Sequence, residues 1–302
     1  MTRPAGPPPA AAAGRVPDGL LALIAAAAGR LAAAGVASPR HDAEALAAHL
    51  LGVPRSRLVL AGPPDEGQRA RYADLIDQRA SRVPLQHLTG VAGFRRLELS
   101  VGPGVFVPRP ETEVLAGWAI DAARGLAAPL LVDLCAGSGA VALALAQEVA
   151  GARVHAVEVD PQALAWAERN AAARAAAGDP PITLHRGDVT DPGLLADLAG
   201  AVDLVTANPP YIPLGAVVEP EVAEHDPPAA LWGGPDGLDL VRAVERVAGR
   251  LLRPGGRVGV EHADLQGGTV PAVFTRTGRW ADVTDHPDLA GRPRVTTARR
   301  RT

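Results

Sequence analysis

A strand-like run of six residues, VDLVTA, leads directly into the segment Asn208-Pro209-Pro210-Tyr211. The Asn208 side-chain oxygen and the Pro209 carbonyl can each accept one N–H of a planar NH₂ group, which aims the nitrogen lone pair at an incoming methyl carbon. Both prolines restrict the backbone and hold that carbonyl in one direction, while Tyr211 offers a flat face for stacking. The segment predicts methyl transfer to an amide or exocyclic amine nitrogen, without a catalytic base, a covalent nucleophile or a metal ion.

A second chemical segment, LLVDLCAGSGAVALALA, combines a strand, a glycine turn and a helix. Gly137 and Gly139 allow a sharp turn and the close approach of a ligand, toward which the following helix points its N–H groups. The turn also satisfies the relaxed dinucleotide fingerprint, so by itself it leaves a nicotinamide dinucleotide and S-adenosylmethionine equally open. Asp133 favours S-adenosylmethionine, because a carboxylate accepts a methionine ammonium and repels a pyrophosphate. The alternative role for Asp133 is to cap the amides of the turn.

Two further acids follow at the ends of later strands. Glu158 lies 19 residues after Gly139, where a doubly wound fold places the acid that binds ribose hydroxyls. Asp160 is the fallback for this role, since it also has the character of a helix N-cap. Asp188 could accept a hydrogen bond from the adenine amino group, and Val189 could pack on the adenine ring. A solvated loop aspartate is the alternative for Asp188.

From residue 111 onward, strand-like and helix-like runs alternate, which predicts a mainly parallel sheet with helices on both faces. The last two strands are joined by only about nine residues, too few for a parallel crossover, so they should pair antiparallel. Seven strands ending in such a pair are typical of the Rossmann-like class I methyltransferase fold. The strands are expected near 129–134, 153–159, 182–187, 202–207, 256–261, 280–285 and 294–300, and the helices near 111–126, 140–150, 161–177, 236–252 and 267–277.

The residues before this domain divide into three parts. Residues 1–17 are rich in proline and lack the apolar stretch of a secretory signal, so they are predicted to form a disordered tail. Residues 18–83 contain apolar stripes at helical spacing, with Ser38 as an N-cap, and are predicted to form a small all-helical domain. Partial alternation in 84–110 predicts a β-hairpin that links this domain to the methyltransferase domain at 111–302.

Composition restricts the partners and the location. The 302 residues include 47% hydrophobic side chains, enough for two cores, and all 30 basic residues are arginine. The net charge of −3 argues against a protein that depends on phosphate contacts. Cys135 is the only cysteine, which excludes an intramolecular disulfide and favours a reducing cytoplasm. We therefore expect a cytoplasmic monomer that binds no metal, no membrane and no nucleic acid directly.

These motifs together resemble the HemK/PrmC family of protein-glutamine methyltransferases, which act on peptide chain release factors. The Asn-Pro-Pro-Tyr segment is shared with adenine and RNA-guanine methyltransferases, but its combination with PRPETE and the N-terminal helices is specific. The resemblance covers nearly everything after residue 18 and is carried by PLQHLTG at 84–90, VFVPRPETE at 105–113, DLCAGSGA at 133–140, NPPYIP at 208–213 and EHADLQG at 261–267.

The resemblance implies S-adenosylmethionine as the cofactor and the Gln of a release factor's Gly-Gly-Gln loop as the methyl acceptor. It implies a substrate-recognition role for the helical domain, and that Phe106 and Arg109 help to enclose the cofactor or to seat the loop. Two residues depart from the family pattern: Cys135 replaces a common glycine, and Val189 replaces a common aromatic residue. The implied cofactor site also contains Asn208 and the turn residues Cys135, Ala136, Gly137, Ser138 and Gly139.

The alternative function is an adenine- or guanine-directed nucleic-acid N-methyltransferase, which would require a basic groove and usually an added base-recognition domain. Binding of S-adenosylmethionine or NAD would separate a methyltransferase from a nicotinamide oxidoreductase. Glu261 and His262 end the fifth strand as a conceivable acid–base pair. Since nothing in the sequence brings them to the methyl group, we expect them to support the floor of the site.

Overall fold

The computed structural model describes residues 19–302, which form two compact units, one ending at Thr89 and the other running from Gly90 to Thr302. The predicted tail at 1–17 lies outside the described residues. Within the described range, no helix has both the length and the apolar composition that a bilayer crossing requires.

The first unit is a bundle of short amphipathic helices. Ile24, Leu31 and Leu46 are fully buried at its centre, as the helical spacing of its apolar residues predicts. The predicted cap Ser38 makes no side-chain cap hydrogen bond, whereas Asp65 closes a capping box at the next long helix. The elements are α1 (Leu20–Ala33), α2 (Pro39–Leu51), a 3-10 helix (Arg55–Leu60), α3 (Glu66–Ala80) and α4 (Leu85–Thr89).

The structure differs from the predicted hairpin linker at 84–110. Its first residues form α4, because Leu85 and Leu88 pack against the apolar core of the first unit. The hairpin itself comprises β1 (Val91–Phe94) and β2 (Leu97–Ser100), paired antiparallel. Its apolar side chains are buried in a core of the second unit, so the hairpin belongs to that unit.

The second unit is built on a seven-stranded sheet. Its elements in chain order are α5 (Thr112–Ala123), β3 (Leu130–Leu134), α6 (Ala140–Glu148), β4 (Arg153–Glu158), α7 (Pro161–Ala176), β5 (Thr183–Arg186), β6 (Val202–Ala207), α8 (Pro220–His225), α9 (Asp239–Leu251), β7 (Leu252–Glu261), α10 (Thr269–Arg276), β8 (Trp280–Pro287) and β9 (Pro293–Arg300), with 3-10 turns at Ala196–Leu198, Pro228–Ala230 and Asp264–Gln266.

The strand order is β5-β4-β3-β6-β7-β9-β8, and β9 runs antiparallel to both of its neighbours while the other pairs are parallel. This confirms the predicted class I methyltransferase fold and its antiparallel final pair. Successive strand residues face opposite sides of the sheet: Leu131 packs with α5, α6 and the hairpin, while Val132 packs with α9 and α10. Both faces are therefore covered, and the central strands β3 and β6 are mostly apolar.

Four polar side chains lie near the carboxyl ends of neighbouring strands. Asp133 and Glu158 lie at or next to the carboxyl ends of β3 and β4, Asn208 directly follows β6, and Glu261 is the last residue of β7. These four strands are adjacent, in the order β4-β3-β6-β7. The chain reverses its direction of travel across the sheet between β3 and β6, which is where open α/β sheets bind ligands.

Candidate active site

A cavity of about 390 Å³ opens at this carboxyl edge. Its lining joins the two chemical segments that are about 70 residues apart in the chain. Parallel strands that end together bring them to one place, because each strand delivers the loop that follows it to the same edge. The cavity is therefore the candidate site for both the cofactor and the methyl acceptor.

The glycine turn forms one wall of the cavity. Gly137 and Gly139 both have positive φ angles, of 55° and 83°, and α6 begins directly after Gly139. A Cβ at Gly137 would meet no atom within 4 Å, so the space beside this residue is open for a ligand. Cys135 also has a positive φ, of 59°, a conformation in which a side chain is unfavourable. The departure at Cys135 therefore occurs where glycine would be the unstrained residue.

The Glu158 carboxylate is held almost entirely by the backbone. Its Oε2 accepts a hydrogen bond from the Gly137 N–H at 2.8 Å, and its Oε1 accepts from the N–H groups of Val159 and Asp160 at 2.8 and 2.9 Å. Glu158 thus connects the turn after β3 to the loop after β4. Asp160, the fallback ribose ligand, instead caps α7, because its side chain accepts from the N–H groups of Gln162 and Ala163.

Asp133 is 2% exposed, and its Oδ1 accepts a hydrogen bond from the Thr206 hydroxyl at 2.7 Å. Burial raises its pKa from 3.8 to about 7, and the negative charge of Glu158 acts in the same direction. A cation placed beside this carboxylate would compensate for the lost hydration. The position suits an ammonium group.

The far wall of the cavity contains Asp188, which is exposed, and Val189, which is buried. Asp188 accepts a hydrogen bond from the Thr190 N–H at 2.7 Å, as a loop aspartate does, and keeps further lone pairs for a ligand. With Asp133 and Glu158, it makes up three of the six carboxylates that line the cavity, the others being Glu111, Asp160 and Glu261. These three carboxylates can accept hydrogen bonds from ammonium, hydroxyl and amino groups but would repel a pyrophosphate, so they fit S-adenosylmethionine.

The Asn-Pro-Pro-Tyr segment, which follows β6, lines the same cavity as the glycine turn after the neighbouring strand β3. Asn208, Pro210 and Tyr211 line the cavity, whereas Pro209 is buried and does not line it. The segment is held at its far end, where the Tyr211 carbonyl accepts from the Gln266 side chain at 3.0 Å. A short parallel bridge between Ile212 and Trp232 continues this attachment.

Two buried residues, Thr112 and Glu261, line the cavity together with this segment. The Asn208 Nδ2 donates to the Thr112 hydroxyl at 3.2 Å, and Thr112 is only 5% exposed. Burial raises the pKa of Glu261 from 4.5 to about 7, and hydrogen bonds from the side chains of Thr112 and Tyr211 oppose the rise. Burial likewise raises the pKa of Tyr211, so its hydroxyl stays protonated and able to donate.

Phe106 and Arg109 lie at the rim, in the loop before α5, and both line the cavity. The Arg109 guanidinium lies 5.0 Å from the centre of the Phe106 ring. It also pairs with Asp226 at 2.9 Å, and the Asp226 side chain is 1% exposed. Burial raises the pKa of Asp226 while Arg109 opposes the rise. The pair ties the rim loop to the residues after α8.

The cavity thus brings together most of the residues predicted from the sequence. Gly139 and Pro209 do not line it: Gly139 precedes α6, and Pro209 is buried. His262 is fully buried against Asp285 at 2.8 Å and does not line it either. The sequence interpretation assigned no site role to Thr112 and none beyond support of the floor to Glu261. Two features of the sequence could have pointed to these residues: Thr112 lies within the PRPETE motif, and Glu261 ends a predicted strand.

Two family models match the chain. The PrmC N-terminal domain matches residues 22–90, which cover the helical unit. The methyltransferase small domain matches residues 120–225, which include the glycine turn and the Asn-Pro-Pro-Tyr segment.

Relatives of similar length match along almost the whole chain. A release factor glutamine methyltransferase of Streptomyces coelicolor is 56% identical over 285 residues, which cover 93% of this chain and 98% of that protein. One of Mycobacterium tuberculosis is 52% identical over 279 residues, 91% and 89% of the two chains. A 4-amino-L-phenylalanine/4-methylamino-L-phenylalanine methyltransferase of Streptomyces pristinaespiralis is 42% identical over 269 residues, 86% and 88% of the two chains. Relatives at 42–56% identity are therefore named for two different methyl acceptors, a protein glutamine and an amino-phenylalanine.

Among solved structures, the fold matches the 16S rRNA N2 G1207 methyltransferase of T. thermophilus in complex with AdoMet and guanosine. The TM-score is 0.51 at 22% identity, and the match covers 70% of this chain and 50% of that one. At this identity the likeness supports the fold alone.

Proposed function

The chain belongs to the family of release factor glutamine methyltransferases, and we propose that it methylates the side-chain amide nitrogen of the Gln in the Gly-Gly-Gln loop of peptide chain release factors. The observation that carries this proposal is the single cavity that joins the carboxylate-lined turn to Asn208 and Tyr211. S-adenosylmethionine, when bound, supplies an electrophilic methyl group on a sulfonium. The residues of the chain bind, orient and shield the two reactants.

At the cofactor end, the Asp133 carboxylate accepts a hydrogen bond from the methionine ammonium, and the Glu158 carboxylate accepts hydrogen bonds from the ribose hydroxyls. The three backbone N–H groups on Glu158 support this role, because they hold its carboxylate in place before a ligand arrives. Asp188 accepts from the adenine amino group, and Val189 packs against the ring. Phe106 and Arg109 close the rim of the cavity over the reactants.

At the acceptor end, Asn208 Oδ1 accepts one N–H of the glutamine amide. The Asn208 Nδ2 is already occupied by Thr112, which supports this orientation. The sequence motif predicts the Pro209 carbonyl as the second acceptor, and Tyr211 as the surface on which the amide stacks. Transfer forms a bond between the glutamine nitrogen and the methyl carbon and breaks the carbon–sulfur bond, and the nitrogen then loses a proton to water.

Intact-mass analysis of a purified release factor, incubated with this protein and S-adenosylmethionine, tests the proposal. We expect the mass to increase by one methyl group, and peptide mapping to place that group on the Gln of the Gly-Gly-Gln loop. A release factor with that Gln changed to Ala is the matched control and should gain nothing. Methylation of 4-amino-L-phenylalanine instead of the release factor would contradict the proposal and favour an aromatic-amine acceptor.

We also propose that the helical unit recognises the release factor and does not contribute to cofactor binding. In support, every residue that lines the described cavity lies between Gly104 and Arg294. A variant lacking residues 1–89 should keep its affinity for S-adenosylmethionine. Its kcat/KM on release factor should fall at least about tenfold, the loss expected when 1.4 kcal/mol of docking free energy disappears. Full activity of this variant would contradict the proposal.

We further propose that the enzyme works as a monomer in the cytoplasm and does not bind nucleic acid directly. The net charge of −3 supports the last point, since proteins that bind phosphate backbones usually carry a positive excess. The single cysteine is consistent with a reducing compartment. Light scattering of the purified protein would test the monomeric state, and a filter-binding assay with RNA would test the absence of nucleic-acid binding.

A further inference from the structure

The orientation of the Asn208 amide matters for the proposed reaction, because its two ends have opposite hydrogen-bonding character. The oxygen accepts an N–H of the target nitrogen, whereas the NH₂ group would face the target NH₂ and repel it. In the structure the Asn208 Nδ2 donates to Thr112 Oγ1 at 3.2 Å, which leaves Oδ1 for the acceptor substrate. Whatever holds Thr112 as an acceptor therefore determines which end of Asn208 is presented.

Thr112 can serve either as a donor or as an acceptor. Its hydroxyl carries one proton, and if that proton pointed at Asn208 it would favour the flipped amide. Above a pH of about 7, where the buried Glu261 is ionised, it removes this ambiguity, because its carboxylate then has only acceptor sites and takes the Thr112 proton. The lone pairs of the threonine oxygen then face the Asn208 Nδ2. In that arrangement the donors point from Asn208 to Thr112, as observed at 3.2 Å, and from Thr112 toward Glu261.

We call this chain of three side chains, Asn208, Thr112 and Glu261, the relay, and Glu261 is placed at its end. It is 2% exposed and lines the cavity together with Thr112, Asn208 and Tyr211. The side chains of Thr112 and Tyr211 both act to lower the pKa of this carboxylate, against the rise that burial causes. Within residues 19–302, Glu261 Oε2 has no hydrogen-bond partner, so the carboxylate keeps acceptor capacity inside the site.

Close packing of α5 on the sheet brings these side chains together. Thr112 begins α5, which packs against both β6 and β7. At Gly259 on β7, an added Cβ would lie 2.4 Å from the Trp118 ring and 2.9 Å from Leu115, so only glycine permits this approach. The first turn of α5 thereby lies over the ends of the strands that carry Asn208 and Glu261.

We propose that Thr112 and Glu261 are positioning residues that present the oxygen end of the Asn208 amide to the acceptor nitrogen. Glu261 also holds Tyr211, so one carboxylate orients both side chains that the acceptor amide meets. The proposal rests on the proposed function and assigns roles to two residues that contact no reacting atom. It separates orientation of the acceptor from binding of the cofactor.

The test compares Thr112→Val, which keeps the shape and removes the hydroxyl, with Thr112→Ser, which keeps the hydroxyl. The readout is the single-turnover rate of release factor methylation at saturating S-adenosylmethionine, measured beside the cofactor Kd. We expect the valine variant to lose about 10–10²-fold in rate, in the range of one lost orienting group. The serine variant should stay within about threefold, and both Kd values within about twofold, of the wild type.

Thr296→Val is the matched control. Thr296 is fully buried on β9, opposite Val260 of β7, and within the described residues its hydroxyl has no partner. The same substitution there should leave the rate unchanged. If Thr296→Val lowers the rate as much as Thr112→Val, or if Thr112→Ser is as slow as Thr112→Val, packing accounts for the effect and the relay is wrong.

Combining variants tests whether Thr112 acts through Asn208. In an Asn208→Ala background, Thr112→Val should cause no further loss, because the orienting target is already absent. Glu261→Gln should slow transfer in the wild-type background and have less effect beside Thr112→Val. Fully multiplicative losses would overturn the relay. Wild-type protein that fails to methylate release factor would overturn the proposed function and the relay with it, whereas normal transfer by Thr112→Val would overturn only the relay.

Discussion

Glu158 and Glu261 are both buried glutamates that end strands of the same sheet, yet their surroundings differ. Glu158 receives three backbone N–H groups, from residues in the turn after β3 and the loop after its own strand. Glu261 is contacted by the side chains of Thr112 and Tyr211, one of its oxygens has no partner in residues 19–302, and its pKa is raised to about 7. In the cofactor half, the Glu158 carboxylate is thus held by the backbone, whereas in the acceptor half Glu261 is surrounded by side chains.

This difference predicts a separation of effects. Backbone N–H groups remain when a side chain changes, so the cofactor half should tolerate substitutions except at the residues that contact the ligand. In the acceptor half, each side chain orients the next, so substitutions should reduce the rate of transfer and leave cofactor affinity unchanged. Variants in the two halves should therefore separate Kd from single-turnover rate.

The largest effect is expected for Asn208→Ala. Removing one preorganised hydrogen-bonding group from an active site costs about 10²–10³ in rate, and the acceptor amide would then pivot out of attack geometry. The cofactor Kd should change little, because the substitution lies in the acceptor half. Single-turnover methylation and calorimetry would measure both. Transfer near the wild-type rate would refute the amide-positioning mechanism.

Asn208→Asp sharpens that result, since it keeps the size and an acceptor but adds negative charge. The charge should tighten binding of the positively charged cofactor and slow transfer, because transfer neutralises the sulfonium. An aspartate variant with tighter binding and slower turnover would show that the uncharged amide matters. Equal rates for asparagine and aspartate would contradict this.

Asp133→Ala and Glu158→Ala should mainly weaken cofactor binding. A hydrogen bond to a charged group contributes about 1.5–3 kcal/mol, which corresponds to about a 10–150-fold rise in Kd. Calorimetry with S-adenosylmethionine measures this, while the single-turnover rate at saturation should fall much less. Unchanged affinity in both variants would remove these carboxylates from the cofactor site.

Asp160→Asn serves as the control for those two variants. Asparagine caps a helix about as well as aspartate, so α7 should stay intact and the Kd unchanged. If Asp160→Asn loses affinity while Glu158→Ala does not, the ribose ligand is Asp160 and Glu158 only braces the turn.

Cofactor affinity should depend on pH through Asp133. Its pKa in the free protein is raised to about 7 by burial, so below that value an ammonium must displace a proton. Affinity should fall as the pH decreases below about 7, by at most about tenfold per pH unit, and level off above it. Because the pKa is raised on folding, Asp133 contributes stability that is present at low pH and lost as the pH rises through 7. Asp133→Asn should flatten the affinity profile, and an unchanged slope would assign the proton elsewhere.

The smallest effect is expected at Cys135, where the backbone of the cofactor half is in the left-handed region. Cys135→Gly and Cys135→Ala both remove the thiol, but only alanine keeps a Cβ in that conformation. The glycine variant should be more stable than the alanine variant by about 1 kcal/mol. Urea unfolding of the two would measure the difference, and a more stable alanine variant would show that packing dominates at this position.

The periodic parts of the chain could be predicted well. Alternating strands and helices from residue 111 onward predicted the seven-stranded sheet, because each buried strand needs an apolar run that sequence displays directly. The short loop before β9 likewise predicted the antiparallel final pair. The hairpin was less predictable: its short strands resemble a linker, and only the burial of Phe94 and Leu99 assigns it to the second unit.

For the site, the sequence by itself determined the predictions that rest on short segments at strand ends, namely the glycine turn, Glu158 and the Asn-Pro-Pro-Tyr segment. Their spacing follows from local backbone geometry, so it can be recognised without a structure. Tertiary structure alone decided that Thr112 and Glu261, 149 residues apart in the chain, line the same cavity as Asn208. Their proximity depends on α5 packing on β7 at Gly259, and a distance set by packing leaves no spacing pattern in the sequence.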